Sequence, residues 1–261
     1  MDIKETKLIN GVIARHPWEL VRLEVIYQVL KTYLIQTINR DSLILDVGCG
    51  DAFVAEQLSK RMTKVRFVAI DTALDKFRIE SYKKNKTRVQ LFDSLENASY
   101  HINKPVDIVF LLDVIEHIKN ENLFLKRLNS FEFITNKTFF LITAPAFQSL
   151  FCSHDLFLEH YRRYNNTTLK KCMQDAGLKP IHAGYFFFTL LPIRIIEVMI
   201  EKILEPKRIN FRGVAKWKSN RIRDSILKHI LFFEVKVTFQ LRKIRVNIPG
   251  LSNYIICKKT D

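Results

Sequence analysis

The sequence predicts a doubly wound α/β domain, a mostly parallel sheet covered by helices on both faces, followed by a helical carboxyl-terminal elaboration. Three observations carry this. Short apolar runs alternate with stretches of helical periodicity between residues 43 and 143. The first run breaks at a glycine-rich turn, Gly48-Cys49-Gly50. Acids then recur at the ends of successive runs: Asp46, Asp71, Asp93 and Asp113.

In chain order, residues 17–38 read as a helix, with Pro17 at a favoured first position and Leu20, Leu23, Ile26, Tyr27, Leu30 and Leu34 at helical spacing. Leu43 to Val47 is a strand, and Ala52 to Arg61 a helix whose apolar face carries Phe53, Val54 and Leu58. Strands are expected at Val65–Ile70, Arg88–Phe92, Val106–Leu112 and Thr138–Thr143, with a helix at Glu121–Leu128. Apolar strands separated by helices imply a parallel sheet buried on both faces. Residues 146–164 read as a loop rich in His, Arg and aromatics. A helix capped by Thr167 or Thr168 runs from there to Ala176. Beyond it come an apolar stretch at 185–204, a basic one at 205–223, an amphipathic helix at 224–244 and a last strand at Tyr254–Cys257.

Lys and Arg number 42 against 27 acids, a net charge of +15, which favours polyanionic partners such as nucleic acid or an anionic membrane surface. The four cysteines, Cys49, Cys152, Cys172 and Cys257, form no Cys-x-x-Cys pair and have no histidines at zinc-finger spacing. Neither a disulfide framework nor a metal site is expected. The polar first seven residues give no sign of a signal peptide, so a reducing, cytoplasmic setting is expected.

Gly48 and Gly50 let backbone approach a ligand closely. A dinucleotide turn would need a third glycine where this chain has Phe53. Asp46 suits a cationic or zwitterionic ligand rather than a pyrophosphate, and S-adenosylmethionine carries both an ammonium and a sulfonium. At their strand ends, Asp71 is placed for ribose hydroxyls, Asp93 for the adenine amino group, and Asp113 for the meeting of donor and acceptor. Thr72, Ser94, Val114 and Cys49, each next to one of these positions, complete the candidate cofactor set.

Ile44 to Gly50, and Val106 through Leu112-Asp113-Val114-Ile115-Glu116-His117-Ile118, resemble the first and fourth-strand motifs of the class I S-adenosylmethionine-dependent methyltransferases, over about residues 14–182. The resemblance implies a Rossmann-like core and in-line methyl transfer, in which the protein chiefly positions donor and acceptor. Many members have glycine where this chain has Ala52, whose methyl group crowds the methionine end.

His154-Asp155 and Glu159-His160-Tyr161-Arg162-Arg163-Tyr164 are similar to a bacterial subgroup linked to cell-surface glycan or lipid-linked sugar pathways, as is His16-Pro17-Trp18-Glu19. Many subgroup members have glycine at the position of Glu159. Members fold the amino-terminal segment over the cofactor, which makes Trp18 and Arg22 candidate lid contacts. His154, His160 and His117 are the candidate bases, with ordinary pKa values near ~6.5. Arg162 and Arg163 offer a fork for a carboxylate or phosphate. The organisation expected is a lid at 1–40, a cofactor-binding core at 41–182, a basic helical elaboration at 183–248 and a final strand and tail at 249–261. The apolar 185–204 stretch, interrupted by Pro192, Arg194 and Glu197, suits an interfacial helix better than a bilayer span. Packing on the core or on a second subunit is its alternative.

The expected activity is methyl transfer from S-adenosylmethionine to a small-molecule, sugar or lipid-linked acceptor, with oxygen favoured. RNA methylation is one alternative, resting on charge alone. It lacks an Asn-Pro-Pro-Tyr type loop after the fourth strand. A non-catalytic cofactor-binding partner subunit is the other.

Overall fold

The computed structural model describes residues 7–9, 12–39, 41–74, 79–80, 88–204 and 220–260. Two short strands, β1 (Lys7–Ile9) and β2 (Val12–Ala14), pair antiparallel ahead of helix α1 (Pro17–Val29). Pro17 opens α1 as expected. The helix stops short of residue 38, passing through a π turn at Leu30–Leu34 and a 3-10 turn at Ile35–Thr37.

The sheet is built from β3 (Leu43–Val47), β4 (Arg66–Ile70), β5 (Val89–Phe92), β6 (Ile108–Leu112), β7 (Phe139–Pro145), β8 (Leu178–Phe186) and β9 (Ser252–Lys259). Its order is β5-β4-β3-β6-β7-β9-β8; the first five are parallel, and β9 runs antiparallel to both β7 and β8. This is the doubly wound, mostly parallel sheet expected. Between the strands lie α2 (Phe53–Arg61), α3 (Leu95–Ser99), α4 (Glu121–Asn129), α5 (Ser153–Phe157), α6 (Asn166–Asp175), α7 (Leu190–Leu204) and α8 (Arg221–Lys243).

Alternate residues of each strand feed two cores, as the pleat requires. Ile44, Phe67, Phe110 and Leu141 join α1, α2 and α8 on one face, with Leu231 and Val235 of α8 buried there. Leu45, Val68, Val109 and Ile142 join α4 and α6 on the other. The reversal of strand order falls between β3 and β6, and ligands of open α/β sheets bind at that crevice.

Four readings of the sequence need correcting. β8 was not expected. Its mixed polar pattern reflects its place at the sheet edge. The 146–164 stretch is not all loop: it holds a 3-10 turn at Gln148–Leu150 and the short α5. The cap of α6 is Asn165, whose side chain accepts from Thr168 N, rather than a threonine. Arg221 to Lys243 is one helix, beginning within the expected basic stretch; residues 205–219 of that stretch lie outside the described residues.

Candidate functional site

The turn after β3 is shaped by three left-handed positions in alternation: Gly48 (φ 76°), Gly50 (φ 59°) and Ala52 (φ 62°). Glycine is required at the first for a further reason. A Cβ there would stand 2.5 Å from Val114 Cγ2. The turn is pinned to the neighbouring strand, since Gly48 N and Cys49 N both donate to Ile70 O. Gly50 N donates to Asp71 Oδ2 at 2.7 Å, and Ala73 N to Asp71 Oδ1 at 2.9 Å. Asp71 therefore organises both sides of the crevice, with Thr72 exposed beside it.

Asp46 is buried inside β3, and its Oδ1 has no hydrogen-bond partner among the described residues. Burial, and then the charge of Asp71, push its carboxyl up to about 7. Asp93 accepts from the side chains of Ser94 (3.2 Å) and Asn97 (2.6 Å), and Ser94 caps α3. Sequence reasoning missed Asp51, which is buried and paired with Arg15. The Arg15 guanidinium also lies over the Phe53 ring at 4.1 Å. Trp18 of α1 stacks on His16, with ring centroids 4.4 Å apart.

Asp113, at the end of β6, takes a positive φ of 57°. Thr143 Oγ1 donates to its Oδ1 at 2.8 Å, and Arg22 of α1 pairs with its Oδ2. Burial works against ionisation, but Arg22 and Thr143 outweigh it and hold the carboxyl below its usual range. A 3-10 turn at Ile115–His117 follows. Within it Glu116 is fully buried, and neither carboxylate oxygen has a partner among the described residues. Burial, reinforced by Asp113, raises its carboxyl well above the usual range.

The His-rich segment lies against this turn, with Tyr161 N donating to Glu116 O at 2.8 Å. The rings of His117 and His160 meet edge to face, centroids 4.6 Å apart. Asp155, fully buried, accepts at Oδ1 from His160 Nδ1 and from Arg163 Nε, each at 2.8 Å, and at Oδ2 from Cys152 N. Burial opposes its ionisation, but His160 and Arg163 overcome this and hold it far below the usual range. An ionised carboxylate only accepts, so His160 carries a proton on Nδ1, and its Nε2 is the ring nitrogen not engaged by Asp155. His154 stands on α5, outside this ring pair.

Arg162 and Arg163 do not form the expected fork. Arg163 is buried on Asp155 and Ala146 O, and Arg162 pairs with Glu121 and donates to Lys119 O at 2.7 Å. Glu159 adopts φ 60°, a conformation that costs glycine least. Glu116 and Asp155 were given no role from the sequence. The Asp-x-x-x-x-His spacing was visible there, but their burial was not.

The fold and the crevice define a class I methyltransferase. Residues 22–183 match a sequence family described as a methyltransferase domain, and the chain belongs to that family. It is an enzyme, and its cofactor is S-adenosylmethionine. Comparison with curated proteins gives no match. Among solved structures the same fold occurs in the complex between the Haloferax volcanii Trm112 methyltransferase activator and the putative methyltransferase, at 11% identity over 93% of this chain and 91% of that one, TM-score 0.52. It occurs also in coclaurine N-methyltransferase bound to N-methylheliamine and SAH, at 14% identity over 92% and 71%, TM-score 0.51. A third is Haemonchus contortus phosphoethanolamine N-methyltransferase 2 with S-adenosyl-L-methionine, at 17% identity over 91% and 52%, TM-score 0.52.

Proposed function

We propose that the enzyme methylates a hydroxyl of a small-molecule, sugar or lipid-linked acceptor at the inner face of the membrane. The observation that carries this is the Asp155–His160 pair. It orients the imidazole, with Nε2 not engaged by Asp155, beside His117 on the turn that follows Asp113. An oxygen acceptor must shed its proton as it reacts, and such an imidazole serves that need. His117, or His154 on α5, fills a supporting role.

The cofactor residues are assigned on the same footing. When bound, S-adenosylmethionine supplies a methyl group activated on sulfonium. Asp46, with its unpartnered buried oxygen, suits the ammonium, with Gly48, Cys49 and Gly50 giving backbone access. Asp71 and Thr72 face the ribose; Asp93 and Ser94 the adenine. Asp113 and Val114 lie where donor meets acceptor, and Arg22 and Trp18 close the crevice from α1. The chain's contribution is to hold this geometry and keep water out.

A lipid-linked acceptor draws support from α7. Ile193, Ile196, Met199, Ile200 and Ile203 form an exposed apolar stripe on it, and Ile222, Ile226, Ile230 and Phe233 form another on α8. No helix among the described residues is long and apolar enough to cross a membrane, so these stripes suit a surface position. The net charge of +15 favours an anionic bilayer. Helix α7 also grips the acceptor loop, since Glu201 accepts from Ser153 N and Oγ and Lys202 donates to Ser149 O. An apolar groove of about 450 Å³ runs between them, lined by Phe147, Leu150, Leu191, Ile195, Val198 and Met199.

Transfer of labelled methyl from the cofactor into fractionated extracts tests this reading. Label in the lipid or polysaccharide fraction and none in RNA is expected. Label in RNA alone would overturn it, and cofactor binding without transfer to any fraction would favour a non-catalytic partner subunit.

A further inference from the structure

Three titratable side chains converge at the acceptor side. The Glu116 carboxylate and the imidazoles of His117 and His160 each bring one ligand atom within 4.8 Å of the others. Arg22 and Arg163 lie nearby, but neither bonds Glu116: Arg22 pairs with Asp113, and Arg163 with Asp155. Both Glu116 oxygens are enclosed and unpartnered among the described residues. A carboxylate kept from water in this way is paired with a cation, coordinated to a metal or protonated.

Asp155 prepares His160 for the second of these. A carboxylate that receives one ring N–H and leaves the other nitrogen bare is the usual outer partner of a metal-ligating histidine. Two imidazoles and a carboxylate suit zinc and its first-row neighbours, with positions left open for a further ligand. Magnesium, which takes oxygen ligands, is a poor match.

We propose that Glu116, His117 and His160 form a binding site for a divalent transition-metal ion, zinc in the first instance. Ligand atoms ~2.1 Å from a tetrahedral ion stand about 3.4 Å apart, so from separations of up to 4.8 Å the ligand atoms close by at most about 1.4 Å on binding. His117 ends a 3-10 turn and His160 lies on a loop. With the ion bound, His160 would spend its free ring nitrogen on the metal and no longer serve as the base; an acceptor hydroxyl at an open coordination position would instead release its proton to water more readily. Its oxygen then bonds the methyl carbon as the carbon–sulfur bond breaks, and that bond's electron pair stays on sulfur. This role for the ion rests on the oxygen-transfer reading above; the binding of the ion does not.

The full chain, stripped by chelator, is titrated with Co²⁺ while the visible ligand-field absorption is followed, and Zn²⁺ is then added in competition. One saturable equivalent displaced by Zn²⁺ is expected. Binding should be weakened about 10–100-fold in Asp155→Asn, which touches no ligand atom, and at least as much in Glu116→Gln. Cofactor binding on the same samples verifies folding. Absence of the band in the unaltered chain overturns the site whatever the variants do, and so does an equal band in Glu116→Gln. Methyl transfer undiminished in chelator, with no Co²⁺ band, overturns the site and leaves the oxygen-transfer reading standing. A Co²⁺ band without transfer to any hydroxyl supports the site and counts against that reading.

Discussion

The Arg22 guanidinium of α1 pairs with the Asp113 carboxylate at the end of β6, joining the amino-terminal helix to the fourth parallel strand. The side chains are 24% and 17% exposed, so the pair is largely shielded from solvent. Removing one partner leaves the other charge poorly solvated. Arg22→Ala should therefore lower stability by about 2 kcal/mol in urea unfolding. It should also weaken cofactor binding by freeing α1 from the crevice. An unchanged unfolding midpoint would show that the pair contributes nothing.

Ala52 sits fully buried in the left-handed region, which costs an alanine about 1–2 kcal/mol relative to glycine. Ala52→Gly should raise stability by up to about 1 kcal/mol, after the greater freedom of glycine in the unfolded chain is offset. Thermal unfolding reads this directly. A lower midpoint would mean that the methyl group's packing outweighs the backbone strain.

The carboxyl of Asp46 titrates at about 7 in the folded chain against 3.8 ordinarily. Between those values the folded state holds more protons than the unfolded, so this group makes the cofactor-free protein less stable as pH rises across that window. Cofactor affinity should move the opposite way, tightening as pH rises through about 7 and the carboxylate forms to meet the ammonium. Calorimetry across pH should show the trend and its loss in Asp46→Asn. Asp71→Ala, which loses a charged acceptor facing two backbone donors, should weaken binding about tenfold to a hundredfold at every pH. Unchanged affinity in that variant would remove Asp71 from the ribose site.

Deleting residues 185–245 would not isolate a membrane contact, because Phe186, Leu231 and Val235 belong to the main core. Point changes on the exposed stripe are cleaner. Each isoleucine entering an apolar phase contributes about 1.5–3 kcal/mol. Replacing Ile196, Ile200 and Ile203 together by serine should abolish flotation with anionic vesicles and leave the unfolding midpoint unchanged. Flotation that persists would assign the stripe to another partner.

Much of this architecture is legible in the sequence, for physical reasons. Strands buried on both faces must be apolar runs, so β3, β4, β6 and β7 stand out, and the acids at the ends of β3, β4, β5 and β6 mark the ligand edge. Gly48 announces its turn because no side chain fits against Val114. β8 escapes notice because an edge strand carries Lys179, Pro180 and His182 among its apolar residues. The Asp155–His160 pair could be suspected from spacing, whereas the convergence of Glu116, His117 and His160 depends on two segments some forty residues apart meeting in space. Arg162 and Arg163 misled for the same reason: adjacent arginines resemble a ligand fork until their acids, Glu121 and Asp155, are found beside them.

The central claim, that the methyl group goes to an acceptor oxygen, is tested most directly by supplying cofactor labelled with ¹³C on the methyl and recording the carbon spectrum of the product. A methoxy resonance is the expected result. A signal in the N-methyl or C-methyl region would contradict it.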